Sequence, residues 1–482
     1  MVLLAQLQQI LDDQYKITNN NLINGDNEYI KLDKKQKVVI STPKVEKPYL
    51  QSISSLFTDC NYVPILRVLT DIQQIVDYLG CLRHFSVKDK QKLPDDNMFY
   101  AAILCLACNI GVSKMANVSR GISEDILSNF VNWHLSANNI HLAIQLVLTV
   151  LTKLPLAHIY KKDSDKLHSS SDGRKIAVSV DSLNANSSYK YFGKGMGIVN
   201  YSFIDEMNRP FYATAISSAE SEAHYVIDGL MHNKSIKSSI HSTDTHGYSE
   251  VIFAVLYLLG IMFAPRIKGV KHSTLYSFIS KSLYKDMGFK ILPSGYINVE
   301  LIKVQWDNIL RLVATIKLGE STASQIFGRL SSYSIQNPLY CALKSFGRII
   351  KSIFILRYTN DLELRQSIQK QLNRIELSNK FAKAISFDND HEMPYGSKEE
   401  QDIAINCQRL LQSIIILWNE LYLSDKIASA ETEEAKQQLI AIIRNGSTQS
   451  WGHLNLLGEY DFTNKEASKT TFDLDKILAL QV

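Results

Sequence analysis

The chain has 482 residues, of which 45% are apolar and 21% are charged. This composition is typical of a folded globular protein and excludes a disordered or fibrous one. Lysine and arginine exceed aspartate and glutamate by only four residues, so any nucleic-acid binding must come from local patches. The length predicts several domains, and the scarcity of glycine and proline (21 and 10 residues) favours long helices.

The cysteines and the apolar segments indicate where the protein works. Six cysteines are scattered without disulfide spacing, and the one close pair, Cys105 and Cys108, lies in an apolar run. We expect this pair to be buried and not to bind zinc. The amino-terminal segment lacks the basic region of a signal peptide, and the apolar stretch 251–264 is too short to cross a bilayer. These features predict a cytoplasmic protein.

The first 160 residues are predicted to be mainly helical. Residues 1–28 place Leu4, Leu7 and Leu11 on one helical face. The lysine-rich stretch 31–49 contains two prolines and is typical of a linker or a surface excursion. Helical periodicity returns between about 62 and 160.

The pattern changes after residue 160 to a mixed α/β order. Period-two alternation predicts a strand near 175–182, and β-branched and aromatic residues predict strands near 197–204 and 210–217, followed by a helix from 221. A short strand ending at Asp244, a helix over 249–260 and a strand from 262 complete this region. The glycine cluster at 193–197 lacks phosphate-loop spacing and precedes a strand, which favours a hairpin turn. Residues from about 300 to 422 are predicted to be helical, and the last 50 to be helix and loop.

Three aspartates fall near the ends of predicted strands. Asp172 lies in a Ser-Ser-Asp-Gly run before the first strand, and Asp244 follows the fourth. Both residue patterns are common in turns and caps, but a carboxylate held at the rim of a sheet is also accessible to ligands. Asp181, which ends the first predicted strand, is a rival for the role of Asp172.

Positive charge is concentrated in two stretches, 256–295 and 321–360. Each has a net charge of +5, against −6 for the rest of the chain, and aromatic residues are interleaved with the cations. Such a stretch is either a solvated helix face or a surface for a polyanion. The candidate DNA-binding residues are Arg266, Lys268, Lys271, Arg329, Lys344, Arg348 and Lys351.

A series of motifs between about residues 85 and 462 resembles one known family. The motifs are SSDG (170–173), NSSYKYFG (186–193), YVIDGL (225–230), TDTHG (243–247), LLGIMFAPRIK (258–268), WDNILRL (306–312), GESTAS (319–324), RLSSYSIQN (329–337), LNRIE (372–376), LWNELYL (417–423) and WGHLNLLGEYDF (451–462). In this order they resemble the C-terminal, catalytic half of the Tn-three family of bacterial replicative transposases.

The resemblance implies a fold that is α/β plus all-α. It would have a ribonuclease-H-like mixed sheet core with a helical insertion, flanked by helical N-terminal and C-terminal regions. The expected boundaries are a helix and lysine-rich linker (1–50), a helical region (51–160), a core carrying the first two carboxylates (161–299), the helical insertion (300–365), core-completing helices with the third carboxylate (366–425), and a C-terminal helix and tail (426–482).

The resemblance also implies a catalytic triad that binds metal. The matching residues are Asp172, Asp244 and Glu376, and the implied cofactor is Mg²⁺, expected as two ions, with Mn²⁺ as a potential substitute. Two such ions can clamp the attacking and leaving oxygens of an in-line displacement at phosphorus. His246 is a candidate supporting residue or a loop histidine bonded to backbone, and Glu376 could instead form a surface pair with Lys380.

The implied activity is that of a DDE-type DNA transposase, a polynucleotidyl transferase of a mobile element. It would cleave the 3′ ends of transposon terminal inverted repeats and join them to target DNA, acting as a homodimer on paired ends and without a membrane partner. A metal-dependent nuclease of the same fold, and a truncated or decayed transposase that binds DNA or dimerises without catalysis, remain alternatives.

Members of the family are longer than this chain, and their additional amino-terminal region recognises the transposon ends. A split or truncated reading frame, a decayed copy and a shorter variant would each account for the difference.

Overall fold

The computed structural model describes most of the chain and divides it into two compact units. The described residues are 2–34, 37–45, 52–60, 62–84, 95–163, 165–233, 236–332, 337–463 and 469–481. The first unit comprises residues 1–46, 166–172 and 221–373, and the second comprises 47–165, 173–220 and 374–482.

Helices account for most of the secondary structure. The α-helices are α1 (Val2–Asn24), α2 (Ile65–Ile75), α3 (Asp96–Ala107), α4 (Val112–Asn117), α5 (Glu124–His134), α6 (Ala137–Lys153), α7 (Tyr189–Phe192), α8 (Glu222–Met231), α9 (Glu250–Leu258), α10 (Lys281–Asp286), α11 (Val299–Val304), α12 (Trp306–Leu318), α13 (Ala323–Ser332), α14 (Pro338–Asn360), α15 (Leu362–Ile385), α16 (Lys398–Ala428), α17 (Glu433–Asn445) and α18 (Leu474–Leu478).

The strands are shorter, apart from three in the middle of the chain. They are β1 (Ile30–Leu32), β2 (Val38–Ile40), β3 (Val63–Pro64), β4 (Ser119–Arg120), β5 (His168–Val178), β6 (Asn186–Ser187), β7 (Met196–Asp205), β8 (Pro210–Ser217), β9 (Ile240–Ser242), β10 (Met262–Phe263), β11 (Tyr276–Ser277), β12 (Gly295–Tyr296), β13 (Leu454–Asn455) and β14 (Tyr460–Asp461). A six-stranded mixed sheet has the order β10-β9-β5-β7-β6, and β8 also pairs with β7.

The first unit contains the parallel part of this sheet. Strand β9 pairs in parallel with the beginning of β5 on one side and with β10 on the other. Helix α9, which follows β9, is apolar on all sides, and its residues 251–256 are buried. Helix α14 packs against α9 and also against α1. An all-round apolar helix of this kind needs cover on every face, and α14 supplies part of it.

The second unit contains the antiparallel part of the sheet and the longest helix. Strands β7 and β8 form an antiparallel hairpin, and β6 pairs with the beginning of β7. Helix α16 has 31 residues, begins with a capping box between Ser397 and Glu400, and is buried over most of its length. Helices α2, α3 and α6 pack around it, so α16 forms the centre of this unit.

The predicted order of elements between residues 160 and 300 is confirmed. Three strands, a helix, a strand, a helix and a strand appear as β5, β7, β8, α8, β9, α9 and β10, with a mixed α/β arrangement. The glycine cluster at 193–197 lies at the turn that joins β6 to β7, as predicted. The predicted helical regions near 1–28, 62–160 and 300–422 are confirmed as well.

Two predictions need correction or refinement. The run Ser170–Gly173 was expected to precede the first strand, but β5 begins at His168 and contains the whole run. Part of the predicted lysine-rich linker folds as the antiparallel hairpin β1–β2. Residues 35–36 and 46–49 of that stretch lie outside the described part of the chain.

Cys105 and Cys108 are buried at the end of α3, as predicted, and burial raises the pKa of both thiols. Across the described ranges, no single helix has the length and apolar character needed to cross a membrane. The bent pair α5 and α6 meets that test only when its two helices are counted together.

Candidate active site

The parallel pairing of β5 with β9 aligns two of the predicted catalytic residues. The register pairs His168 with Ile240 and Ser170 with Ser242. Asp172 lies two residues after Ser170 in β5, and Asp244 lies two residues after Ser242, just beyond the end of β9. Because neighbouring strands lie about 4.8 Å apart, both aspartates follow closely spaced positions of the sheet. Both residues are half-buried.

A buried histidine fixes the backbone just before the two aspartates. His241 is completely buried between Ser169, whose hydroxyl is 2.8 Å from Nδ1, and Ser171, whose hydroxyl is 2.9 Å from Nε2. Burial, more than the proximity of His168, lowers the pKa of His241 to about 3. The imidazole is therefore neutral at physiological pH, and it holds the two strands together without adding charge to the site.

A second chain of hydrogen bonds lies beside the first. Ser242 Oγ donates to the Ala264 carbonyl at 2.7 Å and therefore accepts from His168 Nε2 at 2.8 Å. The other ring nitrogen of His168 is 3.4 Å from the hydroxyl of Ser367 on α15. These bonds connect β5, β9, the segment after β10 and the first part of α15, all within the first unit.

Helix α15 covers the face of β5 that carries Asp172. Ser170 Oγ donates to the Gln371 carbonyl at 3.1 Å, and Gln371 Nε2 donates back to that hydroxyl at 3.2 Å. Successive side chains of a strand alternate between its faces, so Asp172 points to the same side as Ser170. Sequence reasoning missed these serine and histidine supports. The available signal was the unusual run of polar residues in two strands that are otherwise buried.

The third predicted ligand, Glu376, lies elsewhere on α15. Its side chain is exposed, and it belongs to the part of the helix assigned to the second unit. In the described part of the chain, no ion pair joins Glu376 to Lys380, so the surface pair considered from the sequence is not formed.

Two other predicted residues differ in their placement. Asp181 lies three residues beyond the end of β5, is exposed and has no register partner on β9. This position favours Asp172 over Asp181 at the strand pair. His246 belongs to a single 3₁₀ turn, Thr245–Gly247, and its side chain is outside the described part of the structure.

A family model described as the Tn3 transposase DDE domain matches residues 67–460. The chain belongs to this family. The DDE domain of a transposase uses divalent metal. Asp172 in β5 and Asp244 just after β9 offer carboxylate oxygens, the hard ligands that Mg²⁺ prefers, so their chemistry fits such an ion. Within the described ranges, no group of three or more His, Cys, Asp or Glu side chains is placed to hold a metal ion. Two of the three predicted ligands thus follow the paired strand residues Ser170 and Ser242, each by two positions.

Curated relatives agree with the family. The transposase for transposon Tn1546 of Enterococcus faecium is 32% identical over 414 residues, covering 86% of this chain and 41% of that protein. The transposase for Tn501 of Pseudomonas aeruginosa is 31% identical over 401 residues, covering 83% and 40%. The transposase for Tn2501 of Escherichia coli is 31% identical over 418 residues, covering 85% and 41%. The chain spans about two fifths of the length of these relatives.

Three of the predicted DNA-binding cations of this DDE domain line one cavity in the first unit. The cavity has a volume of about 480 Å³ and is bounded by β2, by the segment 266–271 after β10, and by α14 and α15. Arg266, Lys268 and Lys271 lie along it, with Arg365. The backbone N–H of Arg266 donates to the Thr243 carbonyl at 2.9 Å, so this segment is attached directly to the strand end that carries Asp244.

Arg365 has a structural role in this cavity. It is 1% exposed, and its guanidinium donates to the carbonyls of Tyr358, Thr359 and Ser41 at 2.7 to 3.1 Å. It also donates to the Thr42 hydroxyl at 3.1 Å. These bonds fix the segment after β2 against the end of α14, which gives the cavity a rigid wall.

The other predicted DNA-binding cations contact protein groups or solvent. Lys351 Nζ lies 3.2 Å from a carboxylate oxygen of Glu250 in a mostly buried ion pair. The Arg348 guanidinium lies 4.8 Å from the centre of the Tyr276 ring, and Lys344 lies 5.4 Å from that of Tyr340. Arg329 is exposed on α13. The charge run on α14 therefore serves helix packing, whereas Arg266 belongs to the segment bonded to Thr243, the residue before Asp244.

Two further family motifs explain how the unit is assembled. Asp228 of YVIDGL is buried and accepts from the backbone N–H groups of Ala323 at 2.6 Å and Ser324 at 3.3 Å. It therefore caps α13, which begins in the GESTAS motif, from the neighbouring helix α8. The contact between these two motifs thus positions one helix against the other.

Proposed function

We propose that this chain is the catalytic part of a replicative DNA transposase. It would cleave the 3′ ends of transposon terminal inverted repeats and join them to target DNA. The observation that carries the proposal is the register of β5 and β9, which pairs Ser170 with Ser242, each two residues before a proposed ligand, in a member of the Tn3 transposase DDE domain family. The three relatives described above are each named as the transposase for a transposon.

Asp172, Asp244 and Glu376 are the proposed metal ligands, with Mg²⁺, as two ions, the proposed cofactor and Mn²⁺ a substitute. Two such ions, when bound, would activate the attacking oxygen and stabilise the leaving oxygen at phosphorus. Asp172 in β5 and Asp244 just after β9 would hold these ions, and His241 with its serine partners would keep the two strands rigid. His246, two residues after Asp244, is the proposed contact to the scissile phosphate or to the attacking group.

The proposed core is ribonuclease-H-like. Its support is the sheet, in which β8 pairs with β7 and the order continues through β5, β9 and β10, with the first aspartate on β5 and the second after β9. The helices between residues 300 and 365 would be an insertion into this core. The boundaries 161–299 and 366–425 for its two parts remain proposals.

Double-stranded DNA is the proposed substrate, both as transposon ends and as target. Arg266, Lys268 and Lys271 are the proposed contacts to phosphates beside the carboxylates, since their cavity adjoins the segment bonded to Thr243. Because two ends must be joined in one event, we propose a homodimer on paired ends. The proposed location is the bacterial cytoplasm, where the DNA is.

The test is a strand-transfer assay with purified protein, pre-cleaved transposon ends, plasmid target and Mg²⁺. The substitutions Asp172→Asn, Asp244→Asn and Glu376→Gln should each reduce joining by about 1,000-fold or more, the loss expected when several kcal/mol of charge stabilisation at phosphorus disappear. Asp181→Asn is the matched control, because Asp181 lies outside the strand register, and it should retain the activity of the unsubstituted chain.

Each outcome assigns a function. Joined products that require all three carboxylates support the proposal. Nicked plasmid without joined products would identify a nuclease of the same fold, and DNA binding that no carboxylate substitution affects would identify a remnant without catalysis. Full activity of any one of the three variants would remove that residue from the site.

A further inference from the structure

The connection between β6 and β7, residues 188–195, contains the single helical turn α7 and presents exposed aromatic and basic side chains. We call it the tyrosine loop. Tyr189 is 84% exposed and Tyr191 is 53% exposed, and Lys190 and Lys194 are exposed beside them. Two exposed aromatic rings beside two exposed lysines form a local patch that combines apolar surface with positive charge. Residues 188–193 of the loop belong to the NSSYKYFG motif, for which the catalytic proposal above has no role.

The loop is anchored, so its exposed rings are held in place. The backbone N–H of Phe192 donates to the Ser188 carbonyl at 2.8 Å, and that of Gly193 donates to the Tyr189 carbonyl at 3.1 Å. The Phe192 ring lies against Gly197, where an added Cβ would come within 2.4 Å of the ring. Phe192 thus fixes the loop to β7, and the two tyrosines on its outer side remain in solvent.

The charges around the loop identify the class of ligand. Lys190 Nζ lies 4.9 Å and Lys175 Nζ lies 5.5 Å from the centre of the Tyr191 ring, close enough for cation–π attraction. The sequence from 182 to 204 contains no aspartate or glutamate. A ligand that is complementary to this surface is anionic and also offers flat apolar faces. Nucleic acid with unpaired bases combines both properties, since bases stack on aromatic rings while the phosphates meet lysines.

We propose that the tyrosine loop binds unpaired nucleotides of the DNA substrate. Tyr189 stacks on a base, while Tyr191 aligns Lys175 and Lys190 for contact with the neighbouring phosphates. The assignment rests on the proposed function in that the nucleic acid is DNA. Strand cleavage and joining expose unpaired nucleotides at the ends that are being transferred, and a rigid stacking platform would hold them.

The first test compares two DNA probes on the full chain. One is a blunt duplex, and the other is the same duplex with an unpaired 3′ tail of about eight nucleotides, within the range that one stacking surface covers. Tyr189→Ala should weaken binding of the tailed duplex by about five-fold or more, the effect of losing one stacked base, and should leave binding of the blunt duplex unchanged. Tyr189→Phe keeps the ring and should bind like the unsubstituted chain.

Tyr62→Ala is the matched control, because Tyr62 is also strongly exposed (76%) but lies outside the loop. Lys190→Gln should reduce the slope of log affinity against log salt by about 0.7, the value for one phosphate contact to a single strand. Equal loss of affinity for both probes, or none, in Tyr189→Ala would overturn the proposal. A change in oligomeric state with unchanged affinity for both probes would assign the loop to protein association and overturn it as well.

The second test locates the contact directly. A tail containing 5-iododeoxyuridine, irradiated in the complex, should cross-link to Tyr189, and peptide mass spectrometry would identify the site. Cross-links confined to other residues would overturn the assignment. The strand-transfer assay keeps the two proposals separate: a chain that joins ends but does not prefer the tailed probe refutes only the tyrosine loop. A chain that binds the tail through Tyr189 but does not join ends refutes only the catalytic function.

Discussion

Gly347 in the middle of α14 lies directly against the beginning of α9. A Cβ added at this position would come within 1.7 Å of the Glu250 carbonyl oxygen and 2.6 Å of its carbon. Ordinary contacts between carbon and a carbonyl oxygen are about 3.3 Å or longer. In Gly347→Ala, therefore, the two helices must separate by roughly 1.5 Å, because backbone atoms cannot turn aside as a flexible side chain can.

The cost of this separation is expected to exceed the gain in helix propensity. Overpacking a well-packed contact costs about 1–3 kcal/mol, and a clash with backbone lies at the upper end of that range. Alanine is better than glycine inside a helix by about 0.5–1 kcal/mol. The ion pair between Lys351 and Glu250, whose side chains are only 13% and 21% exposed, spans the same contact and would be strained too. We expect a net loss of about 2 kcal/mol.

Equilibrium unfolding in urea, followed by far-ultraviolet circular dichroism, measures this loss as a lower midpoint. Gly328→Ala is the matched control, because Gly328 is an exposed interior residue of α13 with open space around its missing Cβ. That variant should gain about 0.5–1 kcal/mol. If Gly347→Ala unfolded at the midpoint of the unsubstituted chain or above it, the close contact between α9 and α14 would be refuted.

Two further predictions concern buried carboxylates. Asp228→Ala should lower the free energy of unfolding by about 1–2 kcal/mol, since the N–H groups of Ala323 and Ser324 lose their cap. Asp228→Asn keeps an acceptor and should lose less stability. An equal loss of stability in both variants would contradict the capping role. Glu420 in α16 is fully buried, and burial raises its pKa from 4.5 to about 8. The folded state therefore favours the protonated carboxyl group. The stability that this preference adds is present below about pH 4.5 and is lost as the pH rises through 8. Glu420→Gln cannot ionise and should therefore lose less stability between pH 5 and pH 8 than the unsubstituted chain, and unfolding curves with the same pH dependence would refute the raised pKa.

The order of helices and strands was predictable because it depends on local periodicity. The apolar face of α1 and the β-branched and aromatic residues of β7 and β8 are local features of the sequence, and the structure forms the predicted helix and strands there. The beginning of β5 was not predicted, because His168 and three serines resemble a loop. Their polar groups are satisfied by partners about 70 and 200 residues away, such as His241 and Gln371, and no local pattern contains that information.

Charge was the least reliable guide to the candidate site. The sequence grouped seven cations as candidate DNA contacts, but Lys351 pairs with Glu250 and Arg348 lies over Tyr276. Both partners are distant in sequence. Conversely, nothing in the amino-acid pattern distinguished Tyr189 and Tyr191 from the buried tyrosines of the same region. Exposure is a property of the packed molecule, and it separates rings that fill a core from rings that are available to a ligand.

The sequence by itself determined the α/β order, the family motifs and the position of two aspartates near strand ends. Only the tertiary structure decided that the residues just before them, Ser170 and Ser242, pair on neighbouring strands. That pairing joins strands about 70 residues apart in sequence and is favoured by the burial of both strands and of His241. Local preferences choose a helix or a strand for each segment, whereas the packing of distant segments chooses which side chains meet.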